Sequence, residues 1–127
     1  MIRRTILAIL ALLALAPLAM VGEITHWDAA RFTELQTEGR PILIHVTAPW
    51  CPTCRAQHSI VFDLAGAPEN ADLVVFDVDF DSQKDVLRQF NVRQQSTLIA
   101  FHGADERARA VGITDPKAIA DLVAETR

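Results

Sequence analysis

The chain has 127 residues, half of them hydrophobic, with 16 acidic against 12 basic side chains and a formal charge of −4. That length fits one domain, and the acidic balance argues against nucleic acid or an anionic membrane surface as the main partner. The only cysteines are Cys51 and Cys54; a chain of this size buries an ordinary core without needing a disulfide to hold it.

The first residues do not read as part of that domain. Met1-Ile2-Arg3-Arg4 is a basic cap, Thr5 to Gly22 carries no charge, and Ile6 to Leu15 is a run of Ile, Leu and Ala stopped by Pro17. A positive start, an apolar run of this length and a helix breaker describe a secretory signal. Ala14-Leu15-Ala16 has the small-x-small form of a cleavage site, although Pro17 follows it. The alternative is an uncleaved anchor, since the uncharged stretch is at the short limit for a membrane span. Both readings export the rest, to a periplasm or an equivalent space, with membrane contact only through residues 5–22. The expected organisation is a signal or anchor over 1–22 and one domain over 23–127. Loss of the leader removes Arg3 and Arg4 and moves the charge from −4 to −6.

The domain alternates helices and strands. Asp28 caps a helix to about Glu38, with Phe32 and Leu35 on its apolar face and Gly39 as its stop. Pro41 to Val46 is nearly all apolar and suits a strand covered on both faces. Arg55 to about Leu64 reads as a helix ending near Gly66. Leu73 to Phe80 is a second strand, and Ser82 is placed to cap a helix over Gln83 to Phe90. Thr97 to Phe101 is a third strand turning at His102-Gly103, and Ala108 to Val111 a fourth. Asp115-Pro116 opens the last helix, with proline where its missing N–H costs nothing, and Ile119, Leu122 and Val123 form its buried stripe. This order implies an α/β sandwich around a small mixed sheet of about four strands.

Cys51 and Cys54 stand between the first strand and the helix that follows it. If Pro52 occupies the first helical position, Cys51 is the cap residue and its sulfur faces the N–H groups of Thr53 and Cys54. Unpaired N–H groups and the positive end of the helix dipole stabilise a thiolate there, so the Cys51 pKa should fall below that of a free thiol. Cys54, a turn further in, lacks that exposure. An activated outer thiol with a shielded inner one makes an attacking and resolving pair. A structural staple is a poor alternative, because two intervening residues close too small a loop to constrain an unfolded chain.

With Trp50-Cys51-Pro52-Thr53-Cys54 after the first long strand, Val92 to Phe101 ("VRQQSTLIAF") where a substrate-facing loop belongs, and Val111-Gly112 before the last helix, the chain resembles the thioredoxin family from about Trp27 onward. The resemblance implies thiol–disulfide exchange with protein substrates, an upstream redox partner, a monomer, and no cofactor beyond the Cys51–Cys54 disulfide. Trp50, Pro52, Thr53, Gln95 and Ser96 would frame the substrate strip. The chain departs from the family at two places. Ser96 stands where the family has a cis-proline; a cis Gln95–Ser96 bond would cost about 2.5–4 kcal/mol, so a trans bond is expected. His45 stands where the family buries an aspartate beneath the inner cysteine, and Val75 is read as replacing the lysine that accompanies it. His45 is either the acceptor of the Cys54 proton or a core histidine bonded to a backbone carbonyl.

Metal ligation by Cys51, Cys54 and His58 on one helix face is the competing use of the thiols, but those three lack a fourth ligand, and no metal site is expected. Asp77, Asp79 and Asp81 mimic the start of a calcium loop, but Ser82 and Arg88 stand where glycine and glutamate are required. The family's periplasmic oxidases carry a helical insertion that this chain lacks, which favours reduction over oxidation.

Overall fold

The structure, a computed structural model, describes residues 20–127; most of the expected leader lies outside the described residues. The chain order is β1 (Glu23–His26), α1 (Ala29–Thr37), β2 (Pro41–Thr47), α2 (Pro52–Ala65), a 3-10 turn (Pro68–Asn70), β3 (Val74–Asp79), α3 (Lys84–Gln89), β4 (Thr97–His102), β5 (Asp105–Val111) and α4 (Pro116–Ala124). One sheet in the order β1-β3-β2-β4-β5 carries all five strands. β1, β3 and β2 run parallel, and β4 and β5 are antiparallel to their neighbours.

β2 lies at the centre, and Ile42 to Val46 are all buried, which explains its unbroken apolar run. Alternate side chains point to opposite faces of the sheet. Ile42, Ile44 and Phe76 pack against Phe32 and Leu35 of α1 and Val86 and Leu87 of α3. Leu43, Val75 and Leu98 pack against Val61 of α2 and Ile119 and Val123 of α4. His45 and Asp77 follow Leu43 and Val75 at the strand period, which places both on the α2/α4 face.

The fifth strand, β1, has little apolar signal of its own. It forms because Gly22 N–H donates to Ala65 O (2.7 Å) and Glu23 N–H to Leu73 O (2.8 Å), after which Ile24 falls in register with Val75. A Cβ on Gly22 would sit 2.8 Å from Asn70 O, so only glycine fits this approach. Trp27 then packs edge-on against Phe76 and Phe90, with ring centroids at 5.5 and 5.4 Å.

Asp28 caps α1 by accepting from Arg31 N–H, and Asp115 caps α4 by accepting from Ala118 N–H. Ser82 does not cap α3. Its hydroxyl donates to Asp79 Oδ2 (2.5 Å), and Gln83 holds the cap position without a side-chain capping bond. A charged carboxylate at the end of β3 is a stronger partner for the hydroxyl than a backbone N–H is. The β4–β5 turn falls on Gly103-Ala104, where Gly103 has φ +56° and a Cβ would lie 3.0 Å from Gly39 Cα. β5 starts three residues earlier than its apolar pattern suggests, because Asp105, Glu106 and Arg107 are exposed on the edge of the sheet, where charged residues discourage further pairing.

Candidate active site

Cys51 is the N-cap of α2, in extended backbone with Pro52 at the first helical position. Its Sγ accepts from Cys54 N–H at 3.1 Å; Thr53 N–H, expected to share this role, does not. Cys51 and Cys54 are joined by a disulfide with Cα atoms 5.3 Å apart, so the pairing of Cys51, Cys54 and His58 as metal ligands is closed in this oxidised state. Both cysteines are covered, at 2% and 0% exposure, and pack with Ala48 and Phe80. Cys54 also lines a groove of about 800 Å³ that runs past His58, Asp77 and His26.

Of the residues expected to frame a substrate strip, Trp50, Pro52 and Thr53 flank the cysteines in the chain, and Ser96 bonds the same carbonyl that Cys54 Sγ approaches. Trp50 is 55% exposed, and its indole N–H donates to Asp81 Oδ2 at 2.8 Å. Asp81 had no assigned role from sequence; only the β3–α3 turn brings it to Trp50. Pro52 is exposed, and Thr53 and Gln95 are half-buried. No peptide bond among the described residues is cis, and Ser96 adopts φ +56°. Ser96 N–H donates to Val46 O (2.8 Å), the carbonyl that lies 4.0 Å from Cys54 Sγ. The Ser96 hydroxyl turns back onto Gln95 O at 2.6 Å. Serine at this position therefore ties the loop to β2 through an N–H that proline lacks.

His45 is fully buried, and its partner is a side chain that the sequence did not single out. Gln57, one turn after Cys54 and also fully buried, donates from Nε2 to Ser96 O and Ile113 O, both at 3.0 Å. Those two carbonyls can only accept, so the other end of the amide, Oε1, faces His45 Nε2 at 3.0 Å. Oε1 accepts, hence His45 Nε2 carries the proton. Position 45 is thus neither bonded to a backbone carbonyl nor bonded directly to Cys54.

The sheet register also corrects the second family position. Val75 lies across from Leu43, and the residue across from His45 is Asp77. His45 Nδ1 and Asp77 Oδ1 face each other at 3.7 Å, beyond hydrogen-bond range, and neither has a partner among the described residues. Burial lowers the His45 pKa and raises that of Asp77, each opposed by the charge of the other. Where the family opposes an acid to a lysine, this chain opposes an imidazole to a carboxylate.

A stability prediction follows from that opposition. A carboxyl whose pKa is raised by folding binds its proton more readily in the native state, so its ionisation works against folding as pH rises through the raised value. Asp77→Asn keeps the shape, removes the charge and can donate to Nδ1. In metal-free buffer the variant is expected to be about 1 kcal/mol more stable than wild type near neutral pH. The gain should disappear at pH values below that of an unperturbed aspartate, about 3.9, where the carboxyl is protonated in both folded and unfolded chains. Urea midpoints across pH measure it; a variant less stable at every pH would mean that Asp77 holds an ion pair worth keeping.

The Thioredoxin family model matches residues 23–125. Thioredoxin H2-2 of Oryza sativa subsp. japonica is 33% identical over 86 residues, which is 68% of this chain and 63% of that protein. A bifunctional thioredoxin reductase/thioredoxin of Mycobacterium leprae is 29% identical over 85 residues, but these are only 18% of its length. The chain therefore spans less than two thirds of either relative. Among solved structures, Trxlp from Edwardsiella tarda EIB202 is 42% identical with a TM-score of 0.77, covering 79% of this chain and 97% of that one. A thioredoxin of Malassezia sympodialis, at 18% identity and a TM-score of 0.71, shares the fold.

Proposed function

The chain belongs to the thioredoxin family, a family of thiol–disulfide oxidoreductases, and from that premise we propose that it is an exported reductase of protein disulfides. The observation that carries this reading is Cys51 at the cap of α2, its sulfur on Cys54 N–H and bonded to Cys54. In the reduced protein the Cys51 thiolate attacks a substrate disulfide, forms a mixed disulfide and releases one substrate thiolate. Cys54 then loses its proton and attacks Cys51 Sγ, which re-forms Cys51–Cys54 and releases the second substrate thiol. An upstream dithiol restores the reduced state: it gives two electrons and two protons to the Cys51–Cys54 disulfide and leaves as its own disulfide. Trp50, Pro52, Thr53, Gln95 and Ser96 form the contact strip for the substrate chain. The basic, apolar leader over residues 1–22 supports export, with or without an anchor, and β3 connects to β4 through α3 alone, which supports reduction over oxidation.

The test is turnover of insulin disulfides with a dithiol donor, together with the Cys51–Cys54 reduction potential. A reductase is expected near the roughly −270 mV of thioredoxins; a value near −120 mV would make the protein an oxidant.

His45 is assigned the proton leaving Cys54. Its bare Nδ1 faces Asp77, and Asp77 and Cys54 line the same groove, which gives the proton a path along that groove. His45→Ala is expected to slow resolution of the mixed disulfide about a hundredfold, the lower range for a lost proton acceptor, and to spare the first attack. Stopped-flow rates of the two steps decide the matter; equal slowing of both would reduce His45 to a packing residue.

A further inference from the structure

The groove beside the disulfide contains a second constellation, which shares His45 with the exchange steps proposed above and adds His58 and Asp77 to it. One ligand-type atom from each of His45, His58 and Asp77 lies within 4.8 Å of the other two. We propose that these residues form a binding site for a divalent transition cation of the zinc type, separate from the cysteines and working in the oxidised protein.

Four features of the geometry support it. First, His45 presents a lone pair rather than a proton at Nδ1, because Gln57 Oε1 requires the proton on Nε2. Second, that lone pair points at a carboxylate oxygen 3.7 Å away, and both atoms lack partners among the described residues. Two buried acceptors turned toward each other are costly as they stand, and a cation between them satisfies both. Ligands about 2.1 Å from a tetrahedral zinc ion are about 3.4 Å apart, so the pair is already close to the required span. Third, a ligating histidine almost always donates its other N–H to an oxygen that fixes the tautomer and orients the ring. Gln57 does this here, and is itself fixed by Ser96 O and Ile113 O. Fourth, His58 stands exposed on α2 over this pair, its ring stacked 6.4 Å from that of His45. An exposed side chain is free to turn and close the third bond.

Two imidazoles and one carboxylate are the nitrogen and oxygen donors that suit zinc, and they leave the fourth position open. His26 lines the same groove, so water or His26 completes the shell. The cation and a proton on His45 Nδ1 exclude each other. If the role assigned to His45 above is correct, loading the site also removes the acceptor of the Cys54 proton; the site itself does not depend on that role.

The experiment uses the oxidised protein, in which both thiols are tied up. Zinc is titrated by calorimetry, and Co²⁺ serves as its coloured stand-in. One equivalent per chain is expected, with visible d–d absorption and no sulfur-to-cobalt charge-transfer band. His58→Ala and Asp77→Asn should each weaken binding by about tenfold or more. His58 is exposed, so its variant tests the site without disturbing the core. No binding by the wild type, or an affinity unchanged from wild type in both variants, would overturn the proposal. Binding that appears only after reduction, with a sulfur band, would assign the metal to Cys51 and Cys54 instead. Insulin turnover by metal-free protein, run alongside, reports on the redox reading independently.

Discussion

Cys51→Ser is expected to abolish disulfide exchange, with a loss on the order of a thousandfold or more, because a nucleophile that acts with its partners cannot be removed piecemeal. Cys54→Ser should instead stop halfway and accumulate a mixed disulfide between Cys51 and the substrate. The asymmetry rests on position. Cys51 Sγ is the cap of α2 and takes the Cys54 N–H, so its thiolate is stabilised where helix N–H groups and dipole converge. Cys54 lies inside the helix, fully buried, with its sulfur over Val46 O, and a carbonyl oxygen disfavours a thiolate. Burial alone does not separate the two, since Cys51 is itself only 2% exposed and it is Cys54 that lines the groove. The experiment therefore has two sides. Mass spectrometry of each variant with a disulfide substrate should show a covalent adduct on Cys51 in Cys54→Ser and none in Cys51→Ser. An adduct on Cys54 in Cys51→Ser would reverse the roles and make groove access, rather than helix capping, the determinant of attack.

Restoring the family's proline by Ser96→Pro is expected to cost about 3 kcal/mol or more. Two features of the native loop oppose the ring. Ser96 sits at φ +56°, whereas proline is fixed near −65°. Its N–H donates to Val46 O at 2.8 Å, and proline has no N–H to give. The loss would spread, because Ser96 O accepts from both Gly112 N–H and Gln57 Nε2. If the loop moves, Gln57 loses one of the anchors that turn its Oε1 toward His45. Ser96→Gly separates conformation from chemistry: it accepts the left-handed backbone and keeps the N–H, and should stay within about 1 kcal/mol of wild type. Urea unfolding of the two variants checks the pair. A proline variant as stable as wild type would mean that the loop takes up a backbone that proline accepts at little cost.

Much of the fold was legible because its signals are local. The apolar run of Pro41 to Val46, the Asp28 and Asp115 caps, and proline at the first turn of α2 and α4 each act within a few residues, and each stands where its chemistry put it. The cap position of Cys51 was legible for the same reason, since a cap cysteine followed by proline depends only on where one helix begins. β1 was not legible: its backbone bonds go to Ala65 and Leu73, far away in sequence, and its own side chains barely alternate. Ser82 misled because its hydroxyl had a charged competitor, Asp79, that outbids a backbone N–H.

The sequence by itself determined the redox pair, the order of the helices and of the four strands after β1, and the presence of serine at 96 and histidine at 45. Only the tertiary structure decided what those two residues do. Parallel pairing of β2 with β3 put Asp77, and not Val75, beside His45, because strand register is set by the packing of both faces rather than by any one residue's type. The buried Gln57 amide fixed the His45 tautomer through Ser96 and Ile113, carbonyls 39 and 56 residues away. Hydrogen bonding in a closed core is decided by which groups are left to pair once the chain has folded. No spacing within the chain encodes that.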